Sequence, residues 1–198
     1  MSNKLRKLIL AFALILLATP AVAGGNANFV LGRRGLDKDF WTPANGQAVL
    51  GVQVDFGKMS WPIHLETGIQ VSVGGQEDFI GTADVYGSVA EVDFGVNKTW
   101  VTKGSVRPFI GGGLATVGAS FVIEAPGGDI DDDDSSGGAY FHGGVYWRIG
   151  RRFNIGIDGR LLAGTKITFF GEEGDADYLQ VGMILGWGWP ATSQGGTP

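Results

Sequence analysis

The sequence predicts an all-β protein, an eight-stranded antiparallel up-and-down barrel that crosses a membrane with its strands. Three observations predict it. Large apolar residues alternate with glycine and polar residues along most of the chain, the period of a strand and not of a helix. The alternating segments number eight, an even count that lets a meander close on itself. The connections between them are long and short in turn, as when one end of a barrel carries loops and the other carries tight turns.

The elements follow in order along the 198 residues. Lys4, Arg6 and Lys7 precede an apolar run over 8–17, and Ala21-Val22-Ala23 supplies a small-x-small site. Residues 1–23 are therefore expected to be a signal peptide, cleaved after Ala23. Its three positive charges are part of the formal net charge of −5, so the remaining chain carries −8. The barrel is expected over 24–189, with strands near 27–34, 47–57, 61–73, 82–100, 105–123, 138–150, 153–169 and 179–189. The clearest alternations are three. Trp61, Ile63, Leu65, Ile69, Val71 and Val73 oppose His64, Glu66, Gly68, Gln70 and Ser72. Phe153, Ile155, Ile157, Leu161, Ile167 and Phe169 oppose Asn154, Gly156, Asp158, Arg160 and Lys166. Leu179, Val181, Met183, Leu185 and Trp187 oppose Gln180, Gly182, Ile184 and Gly186. Long connections are expected over 35–46, 75–81, 124–137 and 170–177, tight turns at 57–60, 102–105 and 150–151, and a short polar tail over 190–198.

Alternation alone does not say which face is outside, because a soluble barrel of lipocalin type has the same period. Three features favour lipid. Eight strands enclose a space only wide enough for side chains to fill, and the bulky apolar face would overpack it. The opposite face is rich in glycine, and all 35 glycines lie at or after Gly24. Aromatic residues cluster near the short-turn ends of strands (Phe56, Trp61, Trp100, Trp147, Phe153, Trp187 and Trp189), as one of two interfacial girdles requires. With no cysteine there is no disulfide framework and no thiolate chemistry. The acidic balance argues against nucleic-acid binding, which needs basic patches.

On this architecture the chain resembles the small eight-stranded outer-membrane proteins of the OmpA and OmpX class over about 27–189. One segment adds to the likeness: Gln180-Val181-Gly182-Met183-Ile184-Leu185-Gly186-Trp187 is similar to the family's last-strand signal for the barrel assembly machinery. The resemblance implies an outer-membrane location in a Gram-negative-type bacterium, contact with lipid and lipopolysaccharide, and a monomer. The chain departs from the family by continuing past its final aromatic residue.

Charge is polarised along the barrel. The long connections hold 14 of the 20 acids, against Lys38 alone, while Lys58, Lys98, Lys103, Arg107, Arg148, Arg151 and Arg152 gather at the turn end. Within the strands, Asp55, Glu66, Glu91, Asp93, Asp158, Arg34, Arg160 and Lys166 fall on the inner face. Buried charges must pair or stay hydrated, so Glu66, Glu91, Asp93, Arg148, Asp158 and Arg160 are expected to form a network that closes the lumen. The run Asp129, Asp131, Asp132, Asp133 and Asp134 offers hard oxygen ligands for loosely associated Ca²⁺ or Mg²⁺, although its flanking glycines and serines read as a solvated loop. No other cofactor is expected. His64 and His142 both point inward, at opposite ends of the barrel. No nucleophile-base-acid spacing is legible, so catalysis is not expected. The functional reading is a structural or surface-interaction role. The alternatives are transport of a small or hydrophobic solute and, third, modification of lipid A.

Overall fold

The computed structural model describes residues 24–57, 61–80, 83–150 and 152–189, the side chains of 78–80 excepted. The signal segment, the 190–198 tail, Lys58, Arg151 and the Asp78 side chain lie outside the described residues.

Eight long strands close into a barrel: β1 (Gly24–Leu36), β2 (Gly46–Gly57), β3 (His64–Ile80), β4 (Ala83–Thr99), β5 (Val106–Glu124), β6 (Ile130–Ile149), β7 (Phe153–Ala163) and β10 (Tyr178–Trp189). Each pairs antiparallel with its neighbours in sequence. The seam is β1 on β10, running from Gly25 opposite Trp189 to Leu36 opposite Tyr178. Between β7 and β10 a two-stranded hairpin, β8 (Ile167–Phe169) and β9 (Glu172–Gly174), stands apart from the barrel wall. A single helical turn, α1 (Lys38–Trp41), lies in the first long connection and is capped by Asp37, whose side chain accepts from the Asp39 amide at 2.6 Å.

Burial is inverted relative to a soluble protein. Leu114 is 72% exposed and Val181 65%, whereas Glu91 is 0% exposed. Phe29, Leu50, Phe94, Phe141, Ile157 and Leu179 continue the outer apolar surface around the wall. A water-facing surface does not carry so continuous an apolar patch. A closed barrel pairs its own backbone groups and can present that surface to hydrocarbon. Trp61, Trp100, Trp147, Phe153 and Trp187 project outward at the turn end, where a bilayer interface accommodates amphipathic rings.

Glycine on the inner wall makes room for polar side chains on the neighbouring strand. A Cβ at Gly68 would sit 2.7 Å from Asp93 Oδ2, and one at Gly51 would sit 2.7 Å from Gln70 Cγ. A Cβ at Gly111 would collide with the His142 ring.

Three expectations are corrected. The segments 75–81 and 124–137 are mostly strand: β3 to β6 run 17, 17, 19 and 20 residues, against 11 to 13 for the other four. One side of the wall therefore rises above the other at the loop end, and the acidic run, Asp129 excepted, lies in β6 and not in a solvated loop. The segment 153–169 is not one strand. Gly164 adopts φ +88°, a conformation disfavoured for residues with a Cβ, and the chain leaves the wall there. Beyond that break the parity reverses. Ile167 and Phe169 are buried while Lys166 is exposed, so Lys166 does not face the lumen. Finally, the two histidines are not at opposite ends. His142 sits at mid-depth against Glu66, two residues along β3 from His64.

Candidate functional site

The lumen is the candidate site, and it is built in layers. Its centre is Glu91 on β4. Arg34 Nη2 donates to Glu91 Oε2 at 3.2 Å, Arg160 Nη2 to Oε1 at 2.5 Å, and the Tyr178 hydroxyl to Oε2 at 2.6 Å. Arg160 also donates to Asp93 Oδ2 at 2.8 Å and to the Tyr178 oxygen at 3.0 Å. Both guanidiniums lie over aromatic rings, Arg34 at 3.7 Å from the Tyr178 centroid and Arg160 at 4.0 Å from that of Tyr140. Arg34 is satisfied further by Gln180 Oε1 at 3.0 Å and Ser72 Oγ at 3.4 Å, and the Gln180 amide donates to Gln70 at 2.8 Å. Such pairing is what allows charges to sit in a narrow lumen.

Toward the turn end a second group centres on His142. Its Nδ1 lies 3.0 Å from Asp158 Oδ1 and its Nε2 2.9 Å from Glu66 Oε1. A carboxylate thus faces each ring nitrogen, an arrangement that suits an imidazole with a proton on both. Glu66 also accepts from the Tyr140 hydroxyl at 3.0 Å and from Asn97 Nδ2 at 2.9 Å. Below this group Phe109, Tyr146 and Ile184 form an apolar collar. The cavity left between them measures about 10 Å³, room for one water at most.

Of the six residues expected to form the network, the structure brings together Glu66, Glu91, Asp93, Asp158 and Arg160. Arg148 stands apart at the turn end, where its Nη2 donates to Asn26 Oδ1 at 3.1 Å. Asn26 in turn donates to both Asp55 oxygens at 3.1 Å. Sequence parity placed Arg34 and His142 on the inner face without joining them to the network. Gln180, also on that face, joins the network as well, and so do Tyr140 and Tyr178, which share the parity but are not among the expected residues.

The loop end is closed differently. Trp41 at the end of α1 is fully buried among Phe169, Phe121 and Phe40, with ring centroids 5.5, 6.3 and 6.3 Å away. Its indole donates to the Asp175 carbonyl at 2.7 Å. The Asp175 carboxyl is held above the usual aspartate range by partial desolvation and by the neighbouring Asp177 and Asp37. Nothing in the sequence periodicity signalled this plug, because four residues are too few to show a helical repeat.

The acidic run of β6 braces the same plug. Asp132 Oδ2 accepts from the Phe170 amide at 2.6 Å, Asp134 Oδ2 from Thr168 at 2.8 Å and Ser136 Oγ from Lys166 at 2.8 Å. Alternate side chains of β6 thus take the place of a neighbouring strand for the edge of β8. The strand pleat sends Asp131 and Asp133 to the opposite face, leaving Asp129 in the loop before it. Among the described residues no group of three or more His, Cys, Asp or Glu side chains is arranged to hold a metal ion.

No protein-family model matches the chain, and no curated protein is detectably similar to it in sequence. Solved structures do match. Ail, the attachment invasion locus protein of Yersinia pestis, in complex with the heparin analogue sucrose octasulfate, superposes with a TM-score of 0.56 at 9% identity. That match covers 85% of this chain and 98% of Ail. The fold is that of the small outer-membrane barrels. Neisserial surface protein A aligns with a TM-score of 0.52 at 9% identity, over 84% of this chain and 95% of that one. The outer-membrane protein OprG of Pseudomonas aeruginosa gives 0.50 at 11%, over 86% and 95%. With this fold and its apolar outer belt, the chain has the architecture of an outer-membrane β-barrel.

Proposed function

We propose that this outer-membrane barrel is a closed, non-catalytic element whose role is structural or surface-interactive. The occupied lumen carries the reading. Arg34, Glu91 and Arg160 span it at 0–1% exposure, the Trp41 plug seals it above, and the Phe109 collar narrows it below. The acidic loop end would then meet lipopolysaccharide through bridging cations, or partners of positive charge. The sulfated ligand in the Ail complex is a poor guide to this chain, because Asp131, Asp133, Glu172 and Glu173 would repel it. Planar-bilayer recording of the refolded protein tests the proposal. The expected record is flat, and a stable, reproducible conductance step would refute it in favour of solute transport.

A further inference from the structure

The turn end of the barrel holds a feature that the closed lumen does not use. Below the apolar collar the wall opens into a cavity of about 580 Å³, within the size range of small-molecule sites. Its lining includes Arg107, Arg148, Arg152 and His64, with Tyr146 and Trp189 as aromatic walls, and among the described residues none that lines it is acidic. Asp55, which lies 3.6 Å from His64, is already engaged by Asn26 at 3.1 Å.

The arginines are held in place. Arg107 Nη1 donates to the Thr102, Gly104 and Val106 carbonyls of its own turn, which fixes the guanidinium on the rim. Among the described residues its Nε–Nη2 edge makes no hydrogen bond, and this is the edge that grips a carboxylate or phosphate in bidentate fashion. Arg152 rests its guanidinium 5.9 Å from the Trp187 ring centroid. Arg148 is anchored on Asn26. Three arginines around one concave space with aromatic walls and a blind floor make a receptor for anions and not an entrance to a pore.

We propose that this periplasmic-side cavity binds a phosphate-bearing anion, either free in solution or as the headgroup of an anionic phospholipid in the inner leaflet. Arg107 and Arg152 supply the charge-assisted donors at the rim, and Tyr146 and Trp189 flank the body of the ligand.

Isothermal titration of the refolded chain in dodecyl maltoside, a detergent without phosphate, tests this. One arm adds inorganic pyrophosphate and the other adds monomeric dihexanoylphosphatidylglycerol. Saturable heat in the first arm identifies a free anion, and saturable heat in the second alone identifies a headgroup. In either case R107Q/R152Q is expected to bind about tenfold more weakly or worse, since each lost charge-assisted bond is worth about a factor of ten or more. Heat-shifted electrophoretic mobility reports whether that variant keeps its barrel. If it does not, R152E alone, on an exposed turn residue, replaces it with the same expectation. Absence of saturable heat in both arms, or unchanged affinity in a folded variant, overturns the proposal.

Discussion

At the scale of single residues the lumen is governed by a pairing of small against large. Gly111 stands opposite His142 in the β5–β6 register, and a methyl group there would occupy the space of the imidazole. Gly111→Ala is expected to destabilise the folded barrel by about 1–3 kcal/mol, the usual result of overfilling a packed interior. The midpoint of urea unfolding in micelles would show it, and an unchanged midpoint would mean that the His142 ring yields freely. Glu91 illustrates the opposite dependence. It accepts from two arginines and a tyrosine, so its removal takes the shared carboxylate from two buried guanidiniums and leaves Arg34 with only neutral partners, among them Gln180 and Ser72. Glu91→Ala is expected to lose about 3–5 kcal/mol, as when one partner of a buried ion pair is deleted. The same denaturation would reveal it, and a loss near zero would mean that water replaces the carboxylate.

At the scale of elements, the hairpin β8–β9 is tied to the barrel by side chains and not by a backbone ladder. Replacing Asp132 and Asp134 together with Ala removes two of the three acceptors for its edge, whereas the Asn pair keeps an oxygen at each position. Hydrogen exchange at the Thr168 and Phe170 amides should accelerate strongly in the Ala pair and only slightly in the Asn pair, because local protection depends on the acceptor. Equal acceleration in both would show that charge, not the acceptor, holds the hairpin. This element also marks where sequence reasoning stops. The parity of Phe153 to Leu161 was legible because a strand flanked by two neighbours keeps strict alternation. Past Gly164 the same letters continue the pattern, yet a single residue with positive φ turns Ile167 and Phe169 inward. Likewise the strand character of Asp131 to Asp134 was hidden, because aspartate is depleted in strands and its role here depends on a partner 34 to 38 residues away. The charged lumen residues were readable from parity. Which of them touch depends on barrel closure, and parity alone does not show that Arg148 bonds Asn26 at the turn end.

At the scale of the whole molecule, the lumen has two independent obstructions in series. The Trp41 plug is apolar and belongs to the connections, and the Glu91 layer is ionic and belongs to the wall. They share few residues: Tyr140 and Tyr178 contribute ring surface to the plug's cluster and hydroxyls to the charged layers below. Trp41→Ala should loosen the plug, since a buried Trp→Ala change typically costs about 3–5 kcal/mol. It should nevertheless leave the barrel electrically silent, because Arg34, Arg160 and Glu91 are carried by β1, β7 and β4, whose pairing does not involve α1. Single-channel recording of the variant separates the two barriers. A flat trace, with faster exchange at the Ala176 amide beside the plug, is the outcome that series obstruction requires. Conductance from this one substitution would mean instead that the ionic layer passes ions once uncovered.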